Sequence, residues 1–321
     1  MSGSGVVAIC GAGNLGRRYL EGVLHCDSAE VVHVYDISDD SLNACEEVVR
    51  QFDRGCSSGP TVEVCMHGAI SALPVGLDLA IVATSADVRP QLVDELSSHA
   101  RVGHYVLEKV LAQDETGLDR LLDVTSISEA WVNMPRRMMD WHRRLYYSIR
   151  GNGPISMVVS GGDWGLACNA VHFMDLLAWW SGEVPQAVDT SSLEPAWSPA
   201  KRKGFSEVHG LMSVTYSAGS DLTLVADHGA EPTTVEVHVG GTIWQIDESD
   251  GVAHRSDGFS QPGVLEYQSA MTPRLVESIL TSGTCALPTL EASVGIHRVL
   301  LQGLADHWVR SGGRQNGVPI T

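Results

Sequence analysis

The stretch GLACNAVHFMD, residues 165–175, sets one histidine and one aspartate in a mostly apolar run. At helical spacing Cys168, His172, Asp175 and Trp179 fall on one face, because residues three and four apart on a helix are neighbours. An imidazole with an ordinary pKa of about 6.5 exchanges protons near neutrality, so His172 is a candidate acid or base. A buried histidine satisfied by Asp175 for structure alone is the competing reading. Lys109 is the second candidate. It closes LEK at the end of an apolar run, where a cation of pKa about 10.4 can polarise an oxygen or simply stay solvated.

The third candidate is a run of backbone. Gly11-Ala12-Gly13-Asn14-Leu15-Gly16 follows the apolar VVAIC and precedes a helical pattern, the strand-turn-helix setting in which G-x-G-x-x-G cradles a pyrophosphate. Gly11 permits the tight turn, Gly13 lets phosphate approach the backbone, and Gly16 lets helix and strand pack closely. Asp36 ends the next apolar run, where a carboxylate accepts hydrogen bonds from an adenosine ribose, or else caps the following helix. A carboxylate there repels a 2′-phosphate, and Ile37-Ser38-Asp39-Asp40 supplies no arginine, which favours NAD over NADP. S-adenosylmethionine enzymes share the glycine loop and the acid, but lack the later motifs.

Holding these groups requires two kinds of sheet. Apolar runs at 6–10, 31–35, 62–66, 79–83, 105–109 and 130–134 alternate with amphipathic helices, including one after Ser38 and one over 90–99. This pattern predicts a doubly wound parallel sheet. From about Gly151 the texture shifts to alternating segments around Ala218-Gly219 and Gly240-Gly241, which suits antiparallel hairpins. Helical periodicity returns over 272–282 and 289–310. The prediction is an α/β chain with a Rossmann domain over 1–135 and a C-terminal α/β domain on an open, mostly antiparallel sheet over 136–321.

Composition narrows the partners. With 21 Lys and Arg against 39 Asp and Glu, the formal charge of -18 argues against nucleic acid and anionic membranes. No apolar run approaches the roughly 20 residues that cross a bilayer, and the start lacks a signal-peptide pattern, so a cytoplasmic protein is expected. Cysteines at 10, 26, 45, 56, 65, 168 and 285 show no C-x-x-C pair and no zinc-like histidine spacing. Reduced thiols and no metal are expected. Arg136-Arg137 and Arg143-Arg144 either grip an anionic substrate or form a solvated helix face with ion pairs, and Lys201-Arg202-Lys203 reads as a surface loop. Trp164 offers a ring of the kind that packs against sugars, whereas Trp179-Trp180 read as core.

Taken in order, the glycine loop, Thr84-Ser85, Glu108-Lys109 and His172-x-x-Asp175 resemble the motif series of the Gfo/Idh/MocA family, which includes glucose-fructose oxidoreductase and inositol dehydrogenase. The match in motif order spans nearly the whole chain. It implies an NAD-dependent oxidoreductase of sugars, cyclitols or related small molecules, assembled as a homodimer or homotetramer, with substrate held between the domains. It implies Gly11, Gly13, Asn14, Leu15, Gly16, Asp36, Thr84, Ser85, Glu108 and Lys109 around the cofactor. Lys109 and His172 become the catalytic residues, with either one as the acid or base. Trp164, Asn169, Asp175 and Arg137 are the substrate candidates. Two departures stand out. The usual E-K-P is Glu108-Lys109-Val110, so a different backbone is expected after Lys109; D-x-G-x-H-x-x-D has Cys168 for its first aspartate and Ala170 for its glycine. Loss of that aspartate points away from a standard inositol or glucose substrate, with Asn169 as a neutral replacement. Two other readings stay open: an NAD-assisted lyase or glycosidase without net redox change, and a non-catalytic NAD-binding regulator.

Overall fold

The computed structural model describes residues 5–55, 62–126, 128–315 and 317–321, and Cys56 lies outside them. The chain divides into two compact units. The first takes the described parts of 1–111, 117–135 and 266–290, and the second takes those of 112–116, 136–265 and 291–321.

In the first unit β1 (Gly5–Cys10), β2 (Ala29–Tyr35), β3 (Glu63–His67), β4 (Gly76–Val82), β5 (Arg101–Leu107) and β6 (Glu129–Val132) form one sheet ordered β3-β2-β1-β4-β5-β6, with every pair parallel. The crossovers carry α1 (Asn14–Val23), α2 (Asp39–Gly55), α3 (Arg89–His99) and α4 (Glu115–Thr125). Val7, Ala8, Ile9, Leu79, Ile81 and Val82 are fully buried, as expected of central strands covered on both faces. The strand order reverses between β1 and β4, so their carboxyl ends frame the crevice where such sheets take ligands. Ser38 caps α2 through Oγ to the Ser41 amide at 3.3 Å, as its sequence position predicts.

A helix from far downstream completes this unit. Here α7 (Gln268–Ser282) packs along α1. It starts a turn before the 272–282 expected, with Pro273 inside it. Proline leaves the carbonyl of Ser269 without its helical donor. That oxygen lies against α1 at Gly22, where a Cβ would come within 2.7 Å of it.

The second unit contains α5 (Asp140–Ile149), which sequence periodicity did not reveal, then β7 (Ser156–Gly161), α6 (Leu166–Ser181), β8 (Pro185–Pro199), β9 (Ser206–Tyr216) and β10 (Asp221–Ala226). It continues through β11 (Thr234–Val239), β12 (Thr242–Asp247), β13 (Val252–Arg255) and β14 (Ser260–Pro262), and ends with α8 (Leu290–Arg310). Its sheet runs β14-β13-β12-β11-β7-β10-β9-β8 and is antiparallel except where β7 meets β10. Gly240 and Gly241, at φ +55° and +78°, make the two-residue turn between β11 and β12 that the sequence predicts. Largely apolar α6 lies on β9 and β10, and the Tyr216 hydroxyl donates to the Met174 carbonyl at 2.9 Å. Trp180 is core, as predicted, while Trp179 is half-buried and stacks on Tyr146. Among the described residues no helix is long and apolar enough to cross a membrane.

Candidate active site

The glycine loop begins pinned on both sides: the Gly11 amide donates to the Tyr35 carbonyl and the Ala83 amide to the Cys10 carbonyl, each at 2.8 Å. Gly11 has φ +101°, a conformation that favours glycine. A Cβ on Gly16 would lie 1.8 Å from the Gly11 oxygen, so α1 seats directly on the turn. Gly13 is different. It caps α1 without any side-chain bond, and a Cβ built on it would meet nothing within 4 Å. The positive end of the helix therefore opens onto space, with exposed Asn14 and half-buried Leu15 in its first turn. Asp36 leans over this loop: Oδ2 accepts from the Ala12 amide at 2.7 Å and Oδ1 from the Ser38 amide at 2.9 Å. Each oxygen keeps a further lone pair, enough for two ribose hydroxyls. Loop and carboxylate together fit a dinucleotide.

After β4, half-buried Thr84 and Ser85 sit on the loop that leads into α3. Arg89, almost fully buried, donates from one guanidinium to the carbonyls of Thr84, Val110 and Leu111, tying the ends of β4 and β5 together. Strand β5 stops at Leu107, two residues short of the predicted 105–109, so Glu108 and Lys109 lie in the loop beyond it. Half-buried Lys109 is followed by a cis peptide bond to Val110. Glu108 is only 3% exposed; its Oε1 accepts from the Tyr19 hydroxyl at 2.5 Å and from Asn133 Nδ2 at 2.6 Å. Asn133 also donates to Gln268 on α7 at 2.9 Å. Burial and the neighbouring carboxylate push the Tyr19 phenol well above its usual range, which keeps it a donor. Glu108, expected near the cofactor, is held by Tyr19 and Asn133. Turned into this polar cluster, it anchors the loop that bears Lys109. Sequence reasoning missed Tyr19, Arg89 and Asn133, whose partners are distant in the chain.

In the second unit α6 starts at Gly165, φ +78°, and its first turn is capped from another strand. The Glu207 carboxylate on β9 accepts from the amides of Ala167 and Cys168 at 2.8 and 3.2 Å. Asn169 donates to the Trp164 carbonyl at 2.8 Å, and the Trp164 indole donates to the Val225 carbonyl at 2.9 Å, so both substrate candidates also fix the entry to the helix. Cys168 and His172 are half-buried, and Cys168 forms no disulfide.

Asp175 and Arg137, two of the substrate candidates, are brought together. They face each other in a two-pronged pair at 2.8 and 2.9 Å, with the Asp175 side chain 2% exposed. Burial pushes its carboxyl up despite Arg137. Arg137 also lies 5.9 Å over the Trp179 ring, as expected if Asp175 and Trp179 share a face. Arg136 is consumed in the same way. It forks onto Glu248 at 2.7 and 2.6 Å, and Glu248 meets His142 at 2.7 Å. Both arginines thus form ion pairs within the second unit.

Comparison with known proteins adds the fold. No protein-family profile matches the chain, and no curated protein matches it by sequence. Solved structures do. The UDP-N-acetylglucosamine 3-dehydrogenase of Acidithiobacillus ferrooxidans superimposes with a TM-score of 0.70 at 14% identity, over 96% of this chain and 98% of that one. The myo-inositol 2-dehydrogenase of Lactobacillus plantarum gives 0.68 at 16% identity, over 96% and 97%. A scyllo-inositol dehydrogenase of Lactobacillus casei, solved with NAD(H) and scyllo-inositol, gives 0.67 at 13%, over 95% and 96%. The chain shares the fold of these Gfo/Idh/MocA-type dehydrogenases.

Of the three residues that depart from the expected motifs, two are buried and Cys168 is half-buried. Val110 and Ala170 are both fully buried, the first behind the Arg89 clamp and the second inside α6. Cys168 stands where the family's aspartate is expected, in the helical turn that Glu207 caps.

Proposed function

We propose that the chain is a nicotinamide-dependent oxidoreductase acting on a hydroxyl or carbonyl carbon of a sugar, cyclitol or related polyhydroxylated molecule, with NAD preferred over NADP. The observation that carries this reading is the open glycine cradle beside Asp36, in the fold of sugar and cyclitol dehydrogenases. The backbone of 11–16 would hold the pyrophosphate and Asp36 the ribose hydroxyls, with Thr84 and Ser85 nearer the nicotinamide. When bound, the nicotinamide supplies a hydride donor or acceptor at C4. The remaining work belongs to the chain. In the oxidative direction the substrate carbon gives up its hydride and its hydroxyl gives up a proton. His172 takes that proton, and Lys109 polarises the oxygen as the carbonyl forms. Reduction runs these transfers backwards. The same reading includes a homodimer or homotetramer, to be checked by light scattering.

The test is calorimetry with NAD(H) and NADP(H), followed by a panel of polyols and keto-sugars with NADH formation read by absorbance. Tighter NAD(H) binding and accumulating NADH are expected. A protein that ignores both dinucleotides, or turns over substrate without accumulating NADH, would refute the proposal.

A further inference from the structure

Away from the residues discussed so far, one end of the second sheet gathers a histidine cluster. Asp163 lies just past β7, His209 on β9 and His228 just past β10. One nitrogen of each imidazole and one Asp163 oxygen lie within 4.8 Å of one another. His209 Nε2 is 2.6 Å from Asp163 Oδ1, and the two imidazole centroids are 4.0 Å apart. Glu194 on β8 completes the group, with both carboxylate oxygens 3.1 Å from His228 Nε2.

Sheet topology explains why four distant residues meet. Strands β7, β10, β9 and β8 are consecutive neighbours, and each brings one of the four to the same end. Register aligns Gly161 with Ala226, Ala226 with Gly210, and Gly210 with Leu193, so the side chains just beyond or beside these positions converge. The Asp163 amide donates to the Gly229 carbonyl at 2.8 Å, which fixes the two loops to each other.

We propose that Asp163, His209 and His228 bind one divalent ion of the zinc, cobalt and nickel class. Two imidazoles and a carboxylate are the donor set such ions select, whereas magnesium and calcium take oxygen alone. Bonds of about 2.0–2.2 Å place tetrahedral ligands roughly 3.3–3.5 Å apart, so the present spacing closes by small side-chain rotations. The His209 side chain, 11% exposed, is the fixed point, while Asp163 and His228, at 58% and 66%, are free to adjust. Glu194 supplies the outer support. It accepts a hydrogen bond from His228 Nε2, which leaves the lone pair a metal needs on Nδ1. Coordination through His209 Nε2 replaces its hydrogen bond to Asp163 and requires the tautomer that carries the proton on Nδ1. Three protein ligands leave a further position for water or an external ligand. Asp163 directly precedes Trp164 and Gly165, so an ion here tethers the start of α6.

The experiment uses the full, untagged chain and zinc ion alone, titrated by calorimetry and by competition with a chromophoric chelator. One equivalent is expected to bind in the micromolar range. His228→Ala and His209→Asn are expected to weaken it about tenfold or more, while His33→Ala, whose Nδ1 lies 2.9 Å from His67 Nε2 in the first unit, leaves it unchanged. Circular dichroism checks folding. Should His209→Asn misfold, exposed His228 decides alone. Absence of zinc binding, wild-type affinity in His228→Ala, or weakening by His33→Ala instead would each overturn the proposal.

Discussion

Two buried carboxylates in the second unit answer pH in opposite senses. Burial alone would raise Glu248, but the charge and hydrogen bonds of Arg136, helped by His142, hold it far below the usual carboxylate range. Its contribution to stability is therefore full above the ordinary value of about 4.3 and drains away as pH falls below it. Asp175 is raised, so the unfolded chain ionises first, and this group costs stability as pH climbs through the gap. We predict that the urea midpoint of the wild type falls between about pH 6 and pH 3, and that Glu248→Gln, already weakened at neutral pH, loses much less over that interval. Equal slopes would contradict the assignment. His172 and Lys109 are predicted on chemistry instead. His172→Ala should lower kcat by at least about 100-fold, and Lys109→Ala should cost a comparable factor, with thermal unfolding unchanged in both. Steady-state kinetics beside a melting curve checks this, and near-normal turnover in both variants would withdraw the roles proposed for them.

Element geometry separates glycines that a motif treats alike. Gly16→Ala pushes a methyl into the Gly11 carbonyl and is predicted to destabilise the first unit outright. Gly13→Ala meets no neighbour, and its φ of -67° suits alanine, so folding should be untouched while dinucleotide affinity drops about tenfold or more as the methyl occupies the phosphate approach. Melting temperature and calorimetry distinguish the two. Much of this was legible in the sequence. The glycine loop, Asp36, Ser38 and the Gly240-Gly241 turn are local signals in which a few adjacent residues fix the backbone. The parallel sheet followed from alternation of apolar runs and amphipathic helices. Pairings across the chain were not legible. Nothing near Glu108 announces Tyr19 or Asn133, nothing near Asp175 announces Arg137, and Glu207 caps a helix that began some forty residues earlier. Nor does any spacing join Asp163, His209 and His228, since only the sheet register makes them neighbours. The helix expected from residue 272 begins instead at Gln268 with Pro273 inside it, and Gly22 lets α1 approach the carbonyl that proline leaves without a helical donor.

At the scale of the whole molecule, the first unit is discontinuous. All six strands of its sheet end by Val132, yet the helix lying on α1 comes from 268–282. Leu275, Val276 and Ile279 are buried in the complete chain. A fragment of 1–135 is therefore predicted to bind hydrophobic dyes and melt well below the full chain, and fusing 266–290 to it through a glycine-serine linker should restore a cooperative transition. An equally stable short fragment would show α7 to be dispensable. During synthesis the same discontinuity becomes a matter of timing. At about 5–20 residues per second, translation of 136–290 takes roughly 8–31 s, and for that interval the nascent sheet waits with one greasy flank uncovered, a natural station for a chaperone.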